Sequence, residues 1–325
     1  MITKLSEVWP AVHAVAKRHG IAHIGASDLR DDHAAMFAEW IAEGHHATMR
    51  YLEKNAGVRA NPAARFPWAK SVIVFLAPYT SERPHADANA LSQHVARYAM
   101  GDDYHGVLDR VLRDIETVVI GKSWRYVDTG PLSDRSAAAQ AGLGWIGRNG
   151  MLIHEEHGSY FFIGTLLTSL QNDIGSTEVA DRCGSCTKCV DACPTHAILP
   201  NRTVASENCI SYATIEHRGP LPEHMHLDGN AFGCDICQEV CPWNRAPLDP
   251  LPAFVPRDEY RATPITDLLC FGQSDFARLF AKSAIKRAKL DGMKRNVREI
   301  ADRGPHIAGE PLRSAIGDPR STSRG

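Results

Sequence analysis

Eight of the chain's nine cysteines fall between Cys183 and Cys241, in two groups with a lone residue between them. The first group reads Cys183-Gly-Ser-Cys186-Thr-Lys-Cys189-Val-Asp-Ala-Cys193-Pro194, the lone residue is Cys209, and the second reads Cys234-Asp-Ile-Cys237-Gln-Glu-Val-Cys241-Pro242. At this spacing three thiolates hold one [4Fe-4S] cluster while the fourth crosses to a second. The crossing rule puts Cys183, Cys186, Cys189 and Cys241 on one cubane and Cys209, Cys234, Cys237 and Cys193 on the other. Such clusters pass electrons singly, so the chemistry on offer is redox. Paired CxxC groups also bind zinc, but zinc gives no reason for the third cysteine after the first pair or for the two Cys-Pro steps. Disulfides suit secreted chains, and no signal peptide's apolar run opens this sequence. Cys270, in Leu268-Leu-Cys-Phe271, reads as a buried apolar residue.

A scaffold must hold these ligands, and 325 residues are enough for one. A formal charge of −2 and 44% hydrophobic residues exclude a disordered acidic chain and a globally basic nucleic-acid binder. Met1 to Gly20 has amphipathic helical spacing, Ile21 to Gly25 reads as a strand and Asp31 to Glu43 as a helix closed by Gly44. Ser71 to Ala77 is a strand buried on both faces. Helices are expected over Ala88 to Tyr98 and Tyr104 to Ile120, a strand over Trp124 to Val127, a helix from Ser133, and a hairpin of Met151 to His154 with Ser159 to Thr168. The expected fold is an α/β (α+β) domain followed by a ferredoxin-like two-[4Fe-4S] module and a short helical C-terminal segment. Boundaries fall at 1–175, 176–248 and 249–305, with a loose tail over 306–325. No apolar stretch reaches membrane-spanning length, and thiolates kept for iron point to the cytoplasm.

Gly142-Leu-Gly144-Trp-Ile-Gly147 matches GxGxxG, but a helix precedes it and a strand follows, the reverse of a dinucleotide site. These glycines are expected to let backbone approach something flat or bulky. Just upstream, Ser133 is a candidate N-cap that leaves Asp134 in the first turn, where the helix dipole favours the carboxylate. On spacing alone Asp134 supports a helix end.

Together with the cysteines, the segments Arg97-Tyr-Ala-Met-Gly-Asp-Asp-Tyr104-His105, Asp128-Thr-Gly-Pro-Leu-Ser-Asp134-Arg135, Ala141-Gly-Leu-Gly-Trp-Ile-Gly-Arg-Asn149, Cys209-Ile-Ser211-Tyr212 and Cys241-Pro-Trp-Asn244 resemble the epoxyqueuosine reductase family. The resemblance runs from about Ile21 to Val297. It implies a cobalamin-dependent oxidoreductase with two [4Fe-4S] clusters that removes the epoxide oxygen of epoxyqueuosine at the tRNA wobble position, the last step to queuosine. It makes the 1–175 region the cobalamin-binding and catalytic domain, with Asp134 the proton donor, and burial beside a corrin should then raise its pKa against the helix dipole. It places Arg59, Arg97, Tyr98, Gly158, Ser159 and Ser211 near the corrin or its tail, with Arg59 or Arg97 able to grip a phosphate.

A tRNA substrate asks for cations. Arg278 to Arg298 carries Lys282, Lys286, Arg287, Lys289, Lys294 and Arg295 against one acid, Asp291, and Lys282, Lys286 and Lys289 would share a helical face as a phosphate track. A solvated charged helix explains such a run equally well. The chain departs from many relatives in having Ala139-Gln140 where they carry an acid and a base, and it stops short of the C-terminal repeats that some possess. The rival readings are a corrinoid reductive dehalogenase, a two-cluster electron carrier and a zinc-stabilised RNA binder. The expected partners are the anticodon stem-loop and an external electron donor, and a monomer is the default.

Overall fold

In the computed structural model, residues 2–303 are described apart from 31, 129 and 131. The tail expected over 306–325 therefore lies outside the described residues, as does Asp31. The order of elements is α1 (Trp9–Arg18), β1 (His23–Asp28), α2 (Ala34–Ala42), α3 (Arg50–Ala60), α4 (Pro62–Arg65), β2 (Ser71–Pro78), α5 (Tyr104–Glu116), β3 (Ser123–Tyr126), α6 (Asp134–Gln140), β4 (Trp145–Ile146), β5 (Leu152–Ile153) and β6 (Phe161–Thr168). Beyond them come α7 (Lys188–Asp191), α8 (Ile210–Ile215), α9 (Ile236–Glu239), α10 (Asp258–Ala262), α11 (Gln273–Leu279) and α12 (Lys289–Arg303).

One antiparallel sheet in the order β1-β2-β6-β3 organises the first half. Every residue of β2 is buried, as its unbroken apolar run requires of a central strand covered on both faces. Odd positions Ile73, Phe75 and Ala77 join Leu108, Val111, Leu112 and Ile115 of α5 and Val12 and Val15 of α1 on one face. Even positions Val72, Val74 and Leu76 meet Ala137 and Ala138 of α6 on the other. The period of two in a strand thus decides which helix each residue touches.

Three expected elements take other forms. Ala88 to Tyr98 is not an α-helix but two 3-10 turns, Leu91–Gln93 and Arg97–Ala99. Its amides bond outward instead, Ala96 to the Phe232 carbonyl at 2.7 Å and Leu91 to Thr263 at 2.8 Å. The hairpin closes only through the His154–Gly158 bridge, because β5 pairs with β4 while β6 returns to the sheet. Lys282 and Lys289 have positive φ, 52° and 62°, and break the basic segment into a 3-10 turn and then α12. The shared face expected for Lys282, Lys286 and Lys289 therefore does not form. Cys270 is exposed, against the expectation of burial.

Candidate active site and cluster module

Ser133 does cap α6, its side chain accepting from the Ser136 amide, so Asp134 occupies the first turn. The α6 helix packs on the sheet through Ala137 and Ala138. That packing points Asp134 across to β6, where the Thr165 hydroxyl donates to its Oδ1 at 2.8 Å. Burial, then the nearby Asp128 carboxylate, pushes the Asp134 carboxyl up to about 7, against the Thr165 hydrogen bond and the Arg59 and Arg135 cations. Arg135 is solvent-exposed even though protein surrounds it at longer range, and burial draws its pKa down. Such a residue lines a concave surface, a cleft beside Asp134. Arg59 stands over the Phe37 ring at 4.9 Å, and its buried Nε has no hydrogen-bond partner.

Behind this cleft lies the loop between β4 and β5, whose role the sequence reading did not foresee. Arg135 donates to the Gly150 carbonyl, the Asn149 amide to the Cys237 carbonyl at 3.3 Å, and Arg148 to the Gly184 carbonyl at 2.8 Å. Trp145 meets Trp243 edge-on at 5.0 Å. One loop thus joins the Asp134 helix to both cysteine groups. What its glycines accommodate is protein: a Cβ on Gly144 would lie 2.2 Å from the Ile153 carbonyl, and one on Gly147 2.4 Å from the Ile153 side chain. Gln140, at the departure from relatives, is buried with its amide 3.5 Å from Ser136 Oγ.

Cys183, Cys186, Cys189 and Cys241 line one small cavity with Trp243 and Arg148. Cys209 and Cys234 each feel the charge of Cys193, and Cys237 that of Cys234 and Cys209, so the remaining four form a second set. Cys237 also senses Cys189, which makes the two sets neighbours. Burial pushes the Cys209, Cys234 and Cys237 thiols up, and a bound cation must offset that to hold them as thiolates. Amides of Ser211 and Tyr212 point at Cys209 and those of Trp243 and Asn244 at Cys241, the contacts that tune cluster potentials. A tetrahedral zinc would draw four sulfurs to about 3.8 Å apart, yet among the described residues no three of these cysteines bring their sulfurs within 4.8 Å.

The remaining expected residues divide. Ser211 sits in the first turn of α8, two positions after Cys209. Tyr98 is packed among Phe162, Phe232 and Tyr104. Gly158, at φ 74°, leaves room for Asn244, and Ser159 gives its amide to Asn244 Oδ1 at 2.7 Å and its hydroxyl to Gln238 at 3.0 Å. Both therefore dock the cluster module. Arg97 is 9% exposed and already paired with Asp235 at 3.2 Å and Glu239 at 2.5 Å, so a phosphate would have to displace two carboxylates. Arg295 is spent on the carbonyls of Ala213, His217 and Gly219, and Arg287 on Glu216. Neither guanidinium is free for RNA in this arrangement. Lys282, Lys286 and Lys289 are exposed and Lys294 half-buried.

An α+β scaffold with an acidic group of raised pKa, joined through one loop to two groups of cysteines, defines an iron–sulfur oxidoreductase. Residues 182–244 match the family described as a 4Fe-4S double cluster binding domain, and residues 59–129 match epoxyqueuosine reductase QueG. The chain is 35% identical over 303 residues to the epoxyqueuosine reductase of Cellulophaga algicola, covering 88% of this chain and 95% of that one. Among solved structures, an epoxyqueuosine reductase with an epoxyqueuosine-modified tRNA-Tyr stem loop matches with a TM-score of 0.83 at 27% identity, over 91% of this chain and 81% of that one. The Bacillus subtilis enzyme, in a structure with its catalytic aspartate loop swung out of the active site, gives 0.83 at 26% identity over the same shares. This chain belongs to the epoxyqueuosine reductase family of tRNA-modifying oxidoreductases. Membership favours that reading over the dehalogenase, electron-carrier and zinc-protein alternatives. No helix among the described residues is long and apolar enough to cross a membrane.

Proposed function

We propose that this chain reduces the epoxide of epoxyqueuosine at the tRNA wobble position to give queuosine, using two [4Fe-4S] clusters and cobalamin, with Asp134 as proton donor. The observation that carries the reading is the Asp134 carboxyl. It is pushed up to about 7, is only partly buried beside the exposed Arg135, and is backed by a loop that touches Cys237. An acid near the working pH is half protonated and so suited to giving a proton to a departing oxygen. In the Bacillus subtilis relative the corresponding loop is named catalytic.

Cys183, Cys186, Cys189 and Cys241 would hold one cluster, and Cys193, Cys209, Cys234 and Cys237 the other. Cobalamin fits the cleft, because Arg59 carries a buried, unpartnered Nε there and Arg135 an exposed guanidinium. Bound there, cobalamin supplies a metal that takes up electrons one at a time at low potential. Thr165 holds the Asp134 carboxyl in place, Asp128 and burial keep it protonated, and Arg59 and Ser211 would contact the cofactor's polar edge. Lys282, Lys286, Lys289 and Lys294 offer charge to the RNA backbone.

The test is anaerobic turnover of an epoxyqueuosine-bearing anticodon stem-loop by cluster-loaded protein with a low-potential reductant, followed by mass spectrometry of the nucleosides. Loss of one oxygen only when cobalamin is present supports the proposal. Unchanged nucleoside with both clusters reduced overturns it.

A further inference from the structure

Besides Asp134 and the cysteines, three histidines converge. His23 on β1, His154 after β5 and His157 in the next turn each bring a ring nitrogen to within 4.8 Å of the others. Ring centroids lie 4.1 Å apart for His23 and His154, and 5.1 Å for each with His157. The hydrogen bonds leave nitrogens free for a ligand. His157 Nδ1 donates to the Ala246 carbonyl at 2.9 Å, so its Nε2 keeps the lone pair, the arrangement in which a backbone carbonyl orients a metal-binding imidazole. That Nε2 lies 3.6 Å from the exposed carboxylate of Glu156. His23 Nε2 is buried and has no partner at all. Burial and the neighbouring rings lower the His23 and His154 pKa values, His154 to about 4, so both are neutral near pH 7. The Glu156 carboxylate acts on His23 against that lowering.

We propose that His23, His154 and His157 form a site for a divalent transition-metal ion of the zinc class, with Glu156 or a water as fourth ligand. Imidazole nitrogens suit such ions at about 2.0–2.1 Å. Four ligands at that range stand about 3.4 Å apart, so the rings close by up to about 1.4 Å on binding. Capture gives up one long hydrogen bond, that from the Glu156 amide to His154 Nδ1 at 3.2 Å. The ion acts as a clasp. His23 belongs to an edge strand of the sheet, whereas His154 and His157 belong to the turn anchored on Ala246 and, through Gly158 and Ser159, on Asn244 beyond Cys241. Metal here ties the catalytic sheet to the chain leaving the second cysteine group.

The probe is zinc itself, added anaerobically to the cluster-loaded full chain and followed by metal analysis and zinc-edge X-ray absorption. The expected result is one zinc per chain beyond the iron, with nitrogen and oxygen scatterers at about 2.0–2.1 Å. His154→Ala and His23→Ala should each weaken binding at least tenfold with iron content unchanged, while His224→Ala, an exposed histidine outside the cluster, should bind as the wild type does. No bound zinc, zinc retained by His154→Ala, or sulfur scatterers at about 2.3 Å, the signature of stray binding to cysteines, would overturn the site. The wild-type absorption spectrum decides the matter even if a histidine variant misfolds.

Discussion

A carboxyl group at the start of a helix is ordinarily held ionised by the dipole, and Asp134 goes the other way because burial and Asp128 outweigh it. Its folded pKa, about 7, lies above the usual value, so ionisation opposes folding. The cost is absent below about pH 4, grows between pH 4 and 7, and is complete above pH 7. Asp134→Asn still accepts from Thr165 and carries no charge. It should abolish turnover by at least about 10²-fold while raising stability at pH 8, relative to pH 4, by about 1 to 2 kcal/mol after allowing for solvent screening, as urea melts at the two pH values would show. Equal melts at both would mean that the carboxyl is not perturbed. Thr165→Val removes the donor that favours the carboxylate, so the pKa of the group should rise and the alkaline limb of the rate profile move to higher pH.

At the scale of elements, the basic C-terminal segment separates two kinds of cation. Arg295 holds carbonyls at 2.6 to 3.0 Å, so Arg295→Gln should lower stability by about 2 to 4 kcal/mol and leave the salt dependence of RNA binding alone. The triple change of Lys282, Lys286 and Lys289 to Gln should do the reverse, with the slope of log affinity against log salt falling by about one per lysine that meets a phosphate. A slope unchanged in the triple variant would place the RNA elsewhere. Nothing in residues 278 to 298 announced this division. Periodicity counts charges on a presumed helix, but the left-handed backbone at Lys282 and Lys289 falls on residues that give no turn signal. The same limit hid the fate of Ala88 to Tyr98, whose amides find partners over 130 residues away in sequence at Phe232 and Thr263. By contrast β2 and α5 were legible, because an unbroken apolar run and a clean apolar stripe admit one packing each.

Over the whole molecule, two of the segments through which the sheet meets the cysteine module are the Asn149–Gly150 loop and the Gly158–Ser159 turn. The grouping of the cysteines and the place of Asp134 in the first turn of a capped helix were readable from spacing. That joint was not, since Asn149 and Gly158 owe their roles to Cys237 and Asn244, distant partners that no local pattern names. Gly158→Ala would set a Cβ 1.8 Å from Asn244 Oδ1 at a backbone angle that costs about 1 to 2 kcal/mol in itself. Faster loss of iron on anaerobic dialysis should follow, measured against the wild type, and unaltered retention would show that the joint does not secure the clusters. The central claim is that Asp134 delivers the proton in an epoxide reduction fed by those clusters. Its most direct measurement is the single-turnover rate on an epoxyqueuosine stem-loop from pH 5 to 9, for the wild type and Asp134→Asn. A wild-type rate that falls through a midpoint near 7 and vanishes in the variant is the expected result. A flat profile, or a variant that keeps the wild-type rate, would contradict it.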